Sequence, residues 1–281
     1  MPSKNATAFS DAYFTPPSTV QWCYKVLGEF YSLQGKKALE PSAGSGVFVS
    51  GSDGTGLQWE TNELFPQHAR GFTPTHTVDF AKSHQGFIGQ GFDFVIGNPP
   101  FGHASGLARK FVKNGLEVAN VVAMVLPKGC RRWRFIDELP SDVCVVVDQD
   151  LPSPLFDLPD GTQKKVGCTF MVFERKPGYK RPPLLNLTEL PFKWEVGGFH
   201  PPDWATHGVG LFRAGAGRRF TVERVEGGLF KAAQETFWMG LSPEQAGLFD
   251  RLTLNDVLER TATSIPRLTW REVVTRWNDI L

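Results

Sequence analysis

Residues 91–102 read GFDFVIGNPPFG, and the fold turns on this stretch. A short apolar run, Phe94-Val95-Ile96, is stopped by Gly97-Asn98-Pro99-Pro100. A run of that length bounded by Gly and Pro reads as a buried strand. The two prolines fix φ and remove two N–H donors, so the strand ends on a stiff shelf. The Asn98 side-chain oxygen and the Pro99 carbonyl then become two acceptors at fixed angles, which suits an exocyclic amine with two N–H groups. Phe101 follows, placed to stack on the ring bearing such an amine.

Working outward, KKALEP (36–41), GLQWETNELFP (56–66), THTVDF (75–80), VVAMVLP (121–127), DVCVVVD (142–148) and KVGCTFMVFER (165–175) read as further strands. STVQWCYKVLGEFYSL (18–33), with Ser18 at its N-cap, has helical spacing. SGLARKFVKNGLEVA (105–119) does too, with Leu107, Phe111, Leu116 and Val118 on an apolar face. Apolar strands alternating with helices predict an α/β fold whose mostly parallel sheet is covered on both faces. After KPGYKRPP (176–183) the texture changes, with many Pro, Gly, Trp and Phe residues and no βα alternation. There VGLFRAGAGRRFTV (209–222) reads as strand, Gly-rich loop, strand, and the chain from Thr253 on reads as helical. The expected division is a catalytic domain at 1–177 and a small α+β extension at 178–281.

Composition narrows the classes. Lys plus Arg number 30 and Asp plus Glu 29, so the net charge of +1 excludes a chain-wide basic coat, and a nucleic-acid partner must be met by a local patch. With 41% hydrophobic and 21% charged residues, wholesale disorder is excluded. Aromatics reach 12%, and flat side chains serve a core or a base-stacking surface equally. Cys23, Cys130, Cys144 and Cys168 are scattered, which argues against a disulfide framework or a metal site and for a reducing compartment. The N-terminus has no apolar h-region, and no apolar run approaches the ~18–20 residues of a membrane span, so neither is expected.

Three other strand ends carry candidate ligands. Glu40-Pro41-Ser42-Ala43-Gly44-Ser45-Gly46 is a Gly-rich turn that lets a ligand approach backbone closely, though a turn of this kind is more often only a turn. It lacks the GxGxxG phosphate fingerprint, and its acid suits a cationic ligand better than a pyrophosphate. Glu63 stands where a carboxylate can accept from both ribose hydroxyls, and a solvated strand-end acid fits the same place. Asp79 could accept from an adenine amino group while Phe80 stacks on the ring, or the two form an ordinary loop pair. Basic residues follow the 121–127 strand at Lys128, Arg131, Arg132 and Arg134, and sit in the Gly-rich segment at Arg213, Arg218 and Arg219. They could hold phosphates or read guanine edges, or be solvated loop charges. None of the six histidines is singled out as catalytic.

EPSAGSG followed by Glu63, Asp79 and then NPPF resembles the S-adenosylmethionine-dependent amino-methyltransferases of the N6-adenine type, over roughly residues 11–175. The resemblance implies a Rossmann-like methyltransferase fold with a seven-stranded, mostly parallel sheet and an antiparallel late hairpin strand. It implies S-adenosyl-L-methionine as cofactor, with Asn98, Pro99, Pro100 and Phe101 catalytic. Tyr13-Phe14-Thr15-Pro16 matches the family segment at the methionine end, which assigns Tyr13, Thr15 and Pro16 to the cofactor. Glu40, Pro41, Ser42, Ala43, Gly44, Gly46, Glu63, Asp79, Phe80 and Asn98 complete that set. Phe101 and Phe170 would pack on an extruded base, with Lys128, Arg131 and Arg132 on the substrate backbone. The motif order resembles the class with a C-terminal target-recognition segment. The helix after Gly46 departs from the family by being short, since GSDGTG starts at Gly51. The expected partner is DNA, without a metal or membrane, acting as a monomer near the nucleoid in the cytoplasm of a bacterial or phage-infected cell. RNA adenine, a protein glutamine amide, and a restriction partner all stay open.

Overall fold

The computed structural model describes residues 13–158, 160–181, 190–197, 200–210, 221–223, 236–249 and 269–278. In chain order they form α1 (Pro17–Gly28), β1 (Lys37–Glu40), α2 (Val47–Ser50), β2 (Gln58–Thr61), α3 (Phe80–Ser83), β3 (Phe94–Gly97), α4 (Gly106–Val118), β4 (Val121–Pro127), α5 (Trp133–Asp137), β5 (Val143–Asp150), β6 (Leu155–Asp157), β7 (Gln163–Lys165), β8 (Cys168–Arg175), β9 (Lys193–Gly197), β10 (His207–Gly210), β11 (Thr221–Glu223), β12 (Thr236–Gly240), α6 (Pro243–Phe249) and α7 (Trp270–Asn278). The chain divides into two compact units, Met1–Cys130 with Arg134–Arg181, and Arg131–Trp133 with Pro182–Leu281.

The first unit holds a sheet in the order β2-β1-β3-β4-β8-β5 and a separate β6–β7 hairpin. β2, β1, β3 and β4 run parallel, and β8 runs antiparallel to both β4 and β5. This is the Rossmann-like α/β sheet with its reversed late strand. Every residue of β3 and β4 is buried, as expected of central strands covered on both faces. α4 lays Ala108, Phe111, Val112 and Leu116 into that core.

Two expectations need correction. The sheet has six strands among the described residues, not seven, because residues 75–80 form no strand. Only one bridge, Asn62 to His76, joins this segment to the edge of β2. Side chains take over the rest of the pairing. Asn62 Oδ1 accepts from Val78 N at 2.9 Å while its Nδ2 donates to Val78 O at 3.0 Å, and Thr61 N donates to Thr75 Oγ1 at 3.2 Å. The second correction concerns α1, which starts at Pro17 and ends at Gly28, so Ser18 lies inside it. Proline suits the first helical position because its φ is fixed and its missing N–H would be unpaired there anyway. α2 is four residues long, as the following GSDGTG implies.

The second unit carries an antiparallel sheet in the order β11-β10-β12-β9. Its core gathers Phe237, Met239, Phe249, Val273 and Trp277. β10 and β11 are the antiparallel strands expected on either side of the Gly-rich segment. That segment, with Arg213, Arg218 and Arg219, lies outside the described residues, as does the expected helical stretch before residue 269. No helix among the described residues is long and apolar enough to cross a membrane.

Candidate active site

Successive connections leave β1 in opposite directions, to β2 on one side and β3 on the other. Parallel sheets open a crevice at the carboxyl ends of strands where that reversal occurs. A cleft of about 420 Å³ lies there, walled by segments 13–14, 41–44, 62–68, 78–82, 98–102 and 107–111. That volume is within the range of small-molecule sites. Tyr13, Pro41, Ser42, Gly44 and Glu63 line it, as do Asp79, Phe80, Asn98, Pro99 and Pro100. Thr15, Pro16, Glu40, Ala43, Gly46 and Phe101 are not in its wall.

Asn98 follows β3 directly. Its Nδ2 donates to Tyr13 O at 2.9 Å and to Thr15 Oγ1 at 3.0 Å. A carbonyl oxygen can only accept, so the nitrogen end of the amide is fixed toward the N-terminal strap and the oxygen end away from it. Asn98 Oδ1 is buried and has no hydrogen-bond partner among the described residues. Such an orphan acceptor is costly unless a ligand donor meets it. The Asn98 backbone carbonyl accepts from Ser42 Oγ at 3.3 Å, which ties the shelf to the Gly-rich turn.

That turn takes the left-handed conformation at Gly44 (φ 52°) and Gly46 (φ 78°). A Cβ at Gly46 would also come within 2.6 Å of the Phe72 ring, so glycine is required there twice over. Glu40, the last residue of β1, is 1% exposed and its Oε2 has no partner among the described residues. Burial, and then the nearby Glu63 carboxylate, push the Glu40 carboxyl well above the usual range. Glu63 accepts from Gly44 N at 2.8 Å through Oε2 and from Phe65 N at 2.9 Å through Oε1. It therefore braces two loops of the cleft and keeps lone pairs to spare. Ala43 is buried behind the turn, donating to Asn62 O at 2.9 Å.

Asp79 caps α3 by accepting from Ala81 N at 3.1 Å, and pairs with Lys82 at 2.8 Å. The Phe80 ring touches the cleft but packs chiefly on Phe87, Phe111 and His84, so it is a wall rather than a free stacking face.

None of the substrate-side candidates lines the cleft. Phe101 is 8% exposed, stacked on Tyr13 (5.4 Å between ring centres, 16° between planes) with the Phe156 edge against it. Phe170 is 0% exposed and meets Trp22 edge-on, because β8 is central and its side chains are enclosed. Phe170 therefore presents no face to the cleft. Thr15 spends its hydroxyl on Asn98 instead of lining the cofactor cleft. Lys128 is paired with Asp150 and does not reach the cleft wall. Arg131 and Arg132 belong to the second unit. Pro16 takes the N-cap position of α1, its carbonyl accepting from Thr19 N at 3.0 Å.

Sequence reasoning missed Asn62, His68 and Lys110. Asn62 is buried and donates to Pro41 O at 2.9 Å as well as pairing with Val78, so one amide joins the turn, β2 and the 75–79 segment. An amide directly after a strand, beside the acid that drew attention, was the available signal. His68 Nδ1 stands 3.6 Å from Glu63 Oε1. Lys110 lies on the cleft wall from α4.

No family model and no curated protein sequence matches the chain. Among solved structures it is similar to a Pyrococcus horikoshii protein proposed to be an RNA methyltransferase, at 21% identity and a TM-score of 0.47, covering 62% of this chain and 92% of that one. It is similar to TrmN from Thermus thermophilus at 17% identity and a TM-score of 0.39, covering 57% and 48%. It is also similar to a type I restriction-modification methyltransferase subunit from Streptococcus thermophilus at 16% and 0.40, covering 59% and 45%. The chain thus spans about half the length of the last two. At these values the likeness assigns no chemistry, and the functional argument rests on the residues above.

Proposed function

We propose that this chain transfers the methyl group of S-adenosylmethionine to the N6 amine of an adenine extruded from DNA. The observation that carries the reading is Asn98 on the cleft wall, its Nδ2 held toward the strap and its buried Oδ1 without a partner among the described residues. An adenine amine is a weak nucleophile because its lone pair is delocalised into the ring. Accepting from its N–H groups with Asn98 Oδ1 and the Pro99 carbonyl returns electron density to the nitrogen and steadies the charge that develops. The proline shelf aims both acceptors before reaction, so little reorganisation is needed.

The residues present fit the cofactor. Glu63 keeps acceptor capacity for ribose hydroxyls, and the left-handed Gly44 admits close approach to backbone. When bound, the cofactor supplies an electrophilic methyl on a sulfonium. The chain's part is to hold the amine in line with it and to exclude water. A base within a duplex must leave the stack to reach such a cleft.

The test is transfer of labelled methyl from S-adenosylmethionine to DNA, RNA and protein presented separately to the purified chain, with the modified product identified by chromatography. N6-methyladenine from DNA is the expected result. Label on RNA adenine or on glutamine keeps the chemistry and replaces the substrate. Label on none of the three refutes the reading.

A further inference from the structure

We infer that Thr15 is a positioning residue that sets which end of the Asn98 amide faces the reacting amine. The inference rests on the methyl-transfer reading and adds to it a residue that acts through Asn98. An amide is nearly symmetrical in shape and opposite in polarity at its two ends. Flipped by 180°, Asn98 would turn two N–H donors toward a substrate that itself offers donors, and catalysis through it would stop. Two acceptors oppose the flip, Tyr13 O at 2.9 Å and Thr15 Oγ1 at 3.0 Å, both on Nδ2.

The strap carrying these acceptors is itself held in place. Phe14 N donates to Asp157 O at 2.9 Å and Asp157 N donates back to Phe14 O at 3.0 Å. Thr15 lies between that bridge and the proline start of α1. It is 3% exposed and is not in the cleft wall, so its hydroxyl is directed at Asn98 and not at a ligand of the cleft. The chain therefore brings a residue from its beginning to orient the amide at the end of its third strand.

The experiment compares the wild type with Thr15→Val, which keeps the shape and removes the acceptor, and Thr15→Ser, which keeps the hydroxyl. Under saturating DNA and S-adenosylmethionine, Thr15→Val is expected to lower kcat about tenfold, the effect of one hydrogen bond, with KM and the cofactor Kd within about twofold. Thr15→Ser is expected to recover most of that rate. A second readout does not depend on turnover. In amide-proton exchange by NMR, the side-chain NH₂ pair that disappears in Asn98→Asp should exchange slowly in the wild type and in Thr15→Ser, and faster in Thr15→Val.

Equal exchange in all three would overturn the inference. So would a Thr15→Val variant with full kcat and a weakened cofactor Kd, which would make Thr15 a cofactor contact. A wild type that transfers no methyl group would sink the methyl-transfer reading, and the exchange measurement would still decide whether Thr15 holds Asn98.

Discussion

Glu40→Gln separates a buried acid from everything else in the fold. Among the described residues, Glu40 is the carboxyl held above its ordinary range, while Glu60, Asp93, Glu138 and Asp160 are held below theirs. Burial is the first cause and the Glu63 carboxylate the second. An acid whose folded-state pKa is raised binds more protons when folded than when unfolded. Its contribution to stability is complete below the unfolded value, about 4.3, and is lost as pH rises through the folded value. One proton corresponds to about 1.4 kcal/mol per pH unit over that window. In a chain of this size that is roughly 3–5 °C of Tm per unit. Glutamine has nearly the same shape and no proton to lose. Thermal unfolding of both proteins from about pH 4.5 to about pH 8 should therefore show Glu40→Gln gaining on the wild type at that slope, then levelling off at the folded pKa of Glu40. The depressed carboxylates are shared by both proteins and cancel in the difference. Two Tm curves that stay parallel across the range would refute the upward shift of the Glu40 carboxyl.

Asn98→Ala should lower kcat by on the order of 10²–10³ while cofactor binding by calorimetry persists, and near-normal turnover would remove Asn98 from the chemistry. Asn62→Ala deletes three hydrogen bonds, to Pro41 O, Val78 O and Val78 N. It should cost about 2–4 kcal/mol in urea unfolding, and a midpoint equal to the wild type would show that residues 75–79 are held by something else. If the base displaces Tyr13 to reach the ring, Phe101→Ala should weaken its binding by at most about 1–3 kcal/mol, read as a raised KM, and an unchanged KM would exclude stacking on that ring. Asp79→Asn retains an acceptor for the α3 cap, whereas Asp79→Ala does not. If Asp79 also accepts from the cofactor adenine, Ala should raise the cofactor Kd more than Asn does, and equal effects would reduce Asp79 to a cap.

The strands were legible where pattern alone decides burial. VVAMVLP could only be an enclosed strand, and β4 occupies its full length. THTVDF carries the same alternation and is no strand, because the Asn62 amide already satisfies the Val78 N–H and C=O that a ladder would have used. Propensity cannot register that substitution, since it depends on one side chain a dozen or more residues away. The cleft residues that follow β1 and β3 were legible for a related reason. Gly44, Gly46 and the Pro99-Pro100 pair are backbone constraints, and these are written in the sequence as residue types. Phe170 and Lys128 lie off the cleft wall, a placement the sequence does not write because an aromatic or a cation has no intrinsic address. The first is enclosed by the helices over a central strand, and the second found Asp150.

The Tyr13–Phe101 stack joins these two kinds of information. The proline shelf fixes the backbone at Phe101, yet the face of that ring is covered by Tyr13, and the Tyr13 carbonyl holds the amide of Asn98. One residue of the strap therefore shields the stacking ring and orients the acceptor. An aromatic base that stacks on Phe101 must take the place of the Tyr13 side chain, while the Tyr13 backbone can stay where it is. The strap backbone is anchored through the paired N–H and C=O groups of Phe14 and Asp157, while the Tyr13 side chain is held separately, by Lys164 Nζ donating to its hydroxyl at 3.0 Å and by the edge contact with Phe156. Displacing the ring would break the Lys164 contact and leave in place the backbone bonds of Phe14 and the bond from Asn98 Nδ2 to Tyr13 O.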